Sequence, residues 1–220
     1  MRMIITLMGI DGCGKSSLAG LLQTELTKRG HKSVVAWATL EPVILRPFIW
    51  AAKRIMVRRH DKFADYRAHD SAKKSGMRRL RFLHGIYFFV MLLDYFPQVI
   101  YKVTIPYLAG RYVICDRYFH DLMLYYAVTI NGGPETMRKR LRVAGWLFPR
   151  PDLLYYISVP PELALARKSD VPSAEYLKER ESYYRAMLDM ADVRVLDGTL
   201  PLGENCARLL SDIEKREERA

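Results

Sequence analysis

At 220 residues, half of them apolar, the chain is long enough for one domain with a substantial core and too apolar to be disordered. Three cysteines (Cys13, Cys115, Cys206) and five histidines show neither a disulfide framework nor metal-ligand spacing, which argues against a small secreted scaffold and a zinc site. The net charge of +11 fits nucleic acid, an anionic membrane surface or anionic small substrates, so its location along the chain matters more than its size.

The N-terminus runs straight into a strand pattern without a charged n-region and cleavage site, so a reduced cytoplasmic setting is expected. Residues 3–8, Met-Ile-Ile-Thr-Leu-Met, are an apolar run of strand length. Gly9-Ile10-Asp11-Gly12-Cys13-Gly14-Lys15-Ser16 follows and fits G-x-x-x-x-G-K-[ST], the phosphate-binding loop. Glycines at this spacing let the chain turn tightly enough to aim backbone N–H groups at a phosphate chain. Lys15 adds a charge within reach of the β- and γ-phosphates, and Ser16 a hydroxyl for Mg²⁺. Leu18, Leu21, Leu22 and Leu26 then repeat at helical spacing, so the loop ends at a helix N-terminus whose dipole favours the same anion. The nucleotide-binding set is Gly9, Asp11, Gly12, Cys13, Gly14, Lys15, Ser16 and Ser17; Cys13 itself reads as a small residue that fits the loop.

Lys28-Arg29-Gly30 ends the helix, and Ser33–Ala38 predicts a second, buried strand, parallel to the first because a helix joins them. Thr39-Leu40-Glu41-Pro42 follows at that strand's C-terminal end, the edge where open α/β sheets bind ligands. Between Arg46 and Arg81, twelve Lys or Arg against three Asp supply +9 of the net charge, with Phe48, Trp50, Phe63 and Tyr66 interleaved. This basic 43–81 segment is expected to be a mobile stretch beside that ligand edge. Three readings stay open for it: a solvated cap, an electrostatic guide for a phosphorylated substrate, and a docking face for nucleic acid or acidic lipid.

Phe82–Phe96 predicts a buried core helix, broken by His84 and Asp94 and too short for a membrane span. Asp94 within it needs a partner: it pairs with a nearby cation or points into the ligand cleft. Tyr112–Cys115 predicts a third strand ending in Asp116-Arg117-Tyr118. An aspartate at the tip of a core strand is where phosphate-loop enzymes hold Mg²⁺ or its water shell, and Arg117 beside it suits a phosphate. Helices are predicted over 120–130 and 134–148, separated by Asn131-Gly132-Gly133, then a strand at Asp152–Val159. A short helix from Pro160-Pro161-Glu162 to Arg167 and Lys168, a loop, a helix over 174–190, a fifth strand at 193–196 and a C-terminal helix from about 203 complete the chain.

In order and spacing, the phosphate loop, Cys115-Asp116-Arg117-Tyr118 and Pro151-Asp152-Leu153 through Val159-Pro160-Pro161-Glu162 to Arg167 resemble the thymidylate kinase family. The resemblance covers nearly the whole chain and is weakest across 43–81. It implies a single α/β domain of the three-layer P-loop kinase fold, a five-stranded parallel sheet flanked by helices, with a short lid at 167–174. It also implies ATP, Mg²⁺ and small nucleotide substrates, with transfer of the γ-phosphoryl group to a nucleoside monophosphate, thymidine monophosphate first. A homodimer is a further expectation.

Carried over residue by residue, Lys15 would bind the transferring phosphates, Asp11 act near the acceptor phosphate, Ser16 and Asp116 serve the metal, and Arg117 hold the acceptor phosphate. Glu41-Pro42 matches the family's Arg-Glu-Pro-Gly loop, Asp94 the Asp of an Asp-Arg pair, and Tyr125 a tyrosine near the base. Three positions depart. Leu40 and Tyr95 stand where the family has acceptor-side arginines, and Tyr126 where it has glutamine. The phosphate loop carries no arginine either, since Gly12 follows Asp11, so transition-state charge would fall to Arg167, with Lys168 and Arg180 as alternatives. The donor side is intact and the acceptor side is not, which leaves open another phosphorylated acceptor: a nucleotide, sugar or lipid precursor. A nucleotide-binding regulator and a nucleic-acid-binding ATPase are the readings from other classes; the guanine motif Asn-Lys-x-Asp does not occur.

Overall fold

β1 (Met3–Met8) is buried at all six positions and lies at the centre of a five-stranded sheet of order β2-β3-β1-β4-β5, every pair parallel. A strand covered on both faces must be apolar throughout, which is why Met-Ile-Ile-Thr-Leu-Met carries no alternation. The computed structural model describes residues 2–42, 46, 83–168, 170–190 and 192–219. The basic segment from 47 to 81 lies outside the described residues.

From β1 the chain passes through α1 (Lys15–Lys28) to β2 (Ser33–Ala36) at one edge of the sheet. β3 (Tyr112–Asp116) returns to the centre, fully buried and beside β1. The chain then crosses β1 in the other direction, through α4 (Phe119–Thr129) and α5 (Gly133–Leu147), to β4 (Leu153–Ser158). Right-handed crossovers in opposite directions place α1 and α4–α5 on opposite faces of the sheet. They also create a reversal point between β1 and β3, where a crevice opens beyond the strand ends. α6 (Pro161–Arg167) and α7 (Ala174–Leu188) lead to the far edge strand β5 (Val193–Asp197), and α8 (Leu202–Glu217) closes the chain against α1.

Two sequence expectations need correction. The second strand was expected to be buried, but β2 is an edge strand and only Ala36 in it is fully covered. The helix expected over Phe82–Phe96 is α2 (Leu83–Val99), and it runs on through a π-helical turn (Ile100–Thr104) into α3 (Ile105–Leu108). Pro97 and Pro106 cannot donate to the helical ladder, and the Ile105 N–H reaches back to the Ile100 carbonyl, the wider bond of a π turn. Only one side of this helix is core: Phe88, Met91, Tyr95, Val99 and Val103 are buried, while Ile86, Phe89, Leu93, Phe96 and Ile100 are exposed. By length and composition alone, His84–Leu108 is long and apolar enough to cross a membrane. Cys13, Cys115 and Cys206 are buried and unbridged.

Candidate active site

The phosphate loop joins β1 to α1, and its glycines are where the backbone demands them. Gly12 has φ 85°, and a Cβ there would lie 2.2 Å from the Ala164 carbonyl oxygen of α6. Gly9 has φ 151°, and a Cβ there would lie 2.8 Å from both the Cys13 Sγ and the Ile157 carbonyl oxygen. The loop is thereby pressed against β4 and α6, which only glycine allows. Lys15 is buried at the loop's centre, its ammonium donating to the Gly9 and Ile10 carbonyls, both at 2.8 Å, and lying 3.4 Å from the Cys13 Sγ.

The parallel register sets Leu7 beside Asp116, and the Arg117 N–H continues the ladder to the Leu7 carbonyl at 3.2 Å. That pairing carries Asp116 and Arg117 to the mouth of the phosphate loop. The Ser16 hydroxyl donates to Asp116 Oδ2, so the two oxygen groups predicted for a metal converge. Among the described residues no cluster of three His, Cys, Asp or Glu could hold a metal. A hydroxyl and one carboxylate suit a hard ion such as Mg²⁺, which fills its shell with waters and phosphate oxygens.

Arg117 has φ 71°, the left-handed region that a long side chain rarely adopts. Two carboxylates hold it there: its guanidinium donates to Asp11 of the loop and, from the other amino group, to Asp121 Oδ1 at 3.2 Å. Burial works to raise the Asp11 pKa, but Arg117 and Lys15, with Lys168 and Arg180 behind them, outweigh it and hold the carboxyl below its ordinary range. Burial likewise opposes the Arg117 charge, and Tyr184, Asp121, Asp11 and Asp116 together more than offset it.

One cleft of about 610 Å³ gathers Asp11, Gly12, Gly14, Lys15, Ser16 and Ser17 from the loop and α1 with Asp116 and Arg117 from β3. Arg167 and Lys168 at the end of α6 line its other wall. Arg167 is anchored by a 2.9 Å bond to the Gly198 carbonyl, and Lys168 faces Asp170 at 3.5 Å. Arg180 lies over the Tyr176 ring, 3.4 Å from its centroid.

The acceptor-side residues are distributed differently. Tyr95 is fully buried, its ring against Phe148 and its hydroxyl donating to the Ala38 carbonyl at 2.8 Å, so it lies in the core and outside the cleft. Leu40 is half-buried against the same core. Glu41 bonds Lys102 at 2.7 Å, and Gln98 accepts its N–H at 3.1 Å while donating to its carbonyl at 2.8 Å. Asp94, one turn before Gln98, is buried on α2. Tyr125 is 43% exposed on α4, and Tyr126 turns inward, stacked on Tyr87 with its hydroxyl on the His84 carbonyl at 3.1 Å. None of these six lines the cleft.

Sequence reasoning missed Asp121, Tyr184, Trp37 and the Lys102–Gln98 clamp. Asp121 was legible in principle, since it stands four residues after Arg117. Tyr184 is 63 residues from its partner Asp121, and nothing local marks it. Trp37, at the end of β2, lines the cleft and is 57% exposed.

The chain matches no protein-family model. It is similar to curated proteins along almost its whole length. A probable thymidylate kinase of Methanospirillum hungatei is 29% identical over 216 residues, 90% of this chain and 87% of that protein. The thymidylate kinase of Coprothermobacter proteolyticus is 24% identical over 96% of this chain and 99% of its own, and that of Bordetella petrii 27% over 96% and 94%. Relatives of one name aligned nearly end to end, on a chain whose parallel sheet carries the phosphate loop at its centre, agree with the motifs: over almost its whole length the chain is similar to thymidylate kinases.

Proposed function

We propose that the protein transfers the γ-phosphoryl group of ATP to a nucleoside monophosphate, with thymidine monophosphate as first acceptor because the relatives carry that name. One observation carries the reading: the phosphate loop and the Asp116-Arg117 pair open on a single cleft, so donor and acceptor phosphates can meet there. The loop and the N-terminus of α1 hold the donor phosphates. Lys15 exchanges its carbonyl partners for phosphate oxygens; Ser16 and Asp116 would hold Mg²⁺, which would neutralise phosphate charge. An oxygen of the acceptor phosphate attacks the γ-phosphorus; the bond to the β–γ bridging oxygen breaks, and ADP leaves. Arg117 orients the acceptor phosphate, and Asp11 keeps Arg117 in place. Arg167 is the cation best placed to meet charge developing on the transferred group, and residues 167–174 form the lid.

A second reading keeps the reaction and changes the acceptor. It is supported by Leu40 and Tyr95, which pack into the fold where the family's acceptor-side arginines stand. ADP release in a coupled assay, across nucleoside monophosphates and phosphorylated sugars, separates the two. Stimulation by thymidine monophosphate above all others supports the first; stimulation only by another acceptor supports the second; none above water makes the protein a nucleotide-binding regulator. We place the protein in the cytoplasm as a homodimer. Exposed Ile86, Phe89, Leu93, Phe96 and Ile100 repeat at spacings of three and four, the seam of two packed helices, and a second copy would cover it. Sedimentation that gives a monomer for the wild type, or a dimer unaffected by Leu93→Glu, counts against this.

A further inference from the structure

Arg117 is the residue on which the acceptor reading turns, and its side chain does not hold its own place. It leaves β3 in a left-handed conformation with φ 71°. Asp11 takes one amino group and Asp121 Oδ1 the other, at 3.2 Å. Asp121 is itself held from three sides. Its Oδ2 accepts the Tyr118 N–H at 3.2 Å, which fixes the first turn of α4, and its Oδ1 accepts the Tyr184 hydroxyl at 2.6 Å. Tyr184 is 1% exposed, and its ring stacks on Tyr156 of β4, with centroids 5.7 Å apart. Burial first, and the Asp121 charge second, raise its pKa well above the ordinary value, so it remains a proton donor. Tyr184 belongs to α7, the helix that the lid runs into, and Arg180 one turn earlier acts on Asp11. One helix therefore bonds one of the carboxylates that grip Arg117 and adds a positive charge to the field at the other.

We propose that Asp121 and Tyr184 are positioning residues: the Tyr184 hydroxyl orients the Asp121 carboxylate, which aims Arg117 at the acceptor phosphate and ties that aim to α7. This inference rests on the phosphoryl-transfer reading for its consequence but not for its geometry. The hydrogen bonds of both side chains go to Arg117, Tyr118 and each other rather than to the donor loop, so their loss should act on the acceptor more than on ATP. A carboxylate that acted only as a helix cap would weaken α4 without regard to Arg117.

The test has two arms. In guanidinium ¹⁵N NMR of the whole protein, the paired carboxylates should slow rotation of Arg117, giving it resolved Nη signals that merge in Asp121→Asn and broaden in Tyr184→Phe. In steady-state kinetics with thymidine monophosphate and ATP both varied, Asp121→Asn should lower kcat/KM for the acceptor about 10-fold and Tyr184→Phe about 3-fold, each changing the KM for ATP less than 2-fold. Asp121→Asn added to Arg117→Lys should cost nothing further, because its effect passes through Arg117. Arg117 signals unchanged by Asp121→Asn overturn the proposal, as does a penalty that persists in full on the Arg117→Lys background. If no acceptor stimulates the wild type, the transfer reading fails while the NMR arm still decides whether Asp121 and Tyr184 hold Arg117.

Discussion

The phosphate-loop side of the cleft and the positions expected to meet an acceptor are built from different material. The donor half is mostly backbone: three glycines with positive φ, the N-terminus of α1 and a strand register that delivers Asp116. The expected acceptor positions are side chains on α2, on α4 and on the loop after β2; none of them lines the cleft, and several face inward. Tyr95 donates to Ala38, Tyr126 to His84, and Glu41 is tied to Lys102. A backbone cradle is set by spacing and glycine, so the motif brings the geometry with it. A side-chain pocket changes with single substitutions that leave the fold intact, so this chain keeps the phosphate loop while its acceptor contacts differ.

The largest expected effect tests whether the acceptor half has been absorbed into the core. Tyr95→Arg puts an unpaired charge where the side chain is fully buried and should destabilise the protein by at least about 3 kcal/mol in urea unfolding. Tyr95→Phe should cost only about 1 kcal/mol, for the lost bond to Ala38. Leu40→Arg, at a half-buried position after β2, should fold normally and tighten binding of an anionic acceptor in calorimetry. A Tyr95→Arg variant as stable as wild type would put that position at the cleft after all.

On the donor side, Lys15→Ala should reduce turnover at least about 10²-fold, the scale for losing a preorganised charge. Coupled ADP assays read this directly, and unchanged turnover would detach the loop from the chemistry. Gly12→Ala probes the cradle itself. Left-handed strain alone costs about 1–3 kcal/mol, and the Cβ must also push α6 away. A lowered melting temperature with weakened ATP binding is expected, whereas a silent variant would mean that the close approach to Ala164 is not needed.

The smallest effect concerns His120, buried on α4. Burial pushes its pKa down to about 3. The folded state therefore keeps it neutral while the unfolded chain protonates below about 6.5, so its contribution to stability is intact above that pH and lost as pH falls toward 3. Between pH 7 and pH 5 this amounts to about 2 kcal/mol. His120→Leu should remove that part of the slope in unfolding curves at the two pH values, while wild type and variant with equal slopes would show that burial does not hold His120 neutral.

The sequence made the donor half readable because its physics is local. Gly9–Ser16, the apolar run before it and the Leu18–Leu26 stripe are contiguous, and Asp116-Arg117 sits at the tip of an unmistakable strand. The strands and most helices were legible for the same reason, with boundaries off by one or two residues. What escaped depends on distance or on surroundings. β2 is apolar enough to pass for a central strand, and only the sheet order makes it an edge. The predicted helix stops at Phe96, yet the helix passes through Pro97 and widens into a π turn. Tyr95 stood at an acceptor position by alignment, and only packing against Phe148 shows it turned inward. The Tyr184–Asp121 bond spans 63 residues and leaves no periodicity to find.

The central claim is that the cleft joins a donor and an acceptor phosphate in one transfer. The direct measurement follows the label from γ-³²P-ATP with thymidine monophosphate and Mg²⁺ present. The account predicts that the label appears in thymidine diphosphate in step with ADP, and that Lys15→Ala abolishes both. Label found only in inorganic phosphate, at a rate indifferent to every phosphorylated acceptor offered, would contradict it.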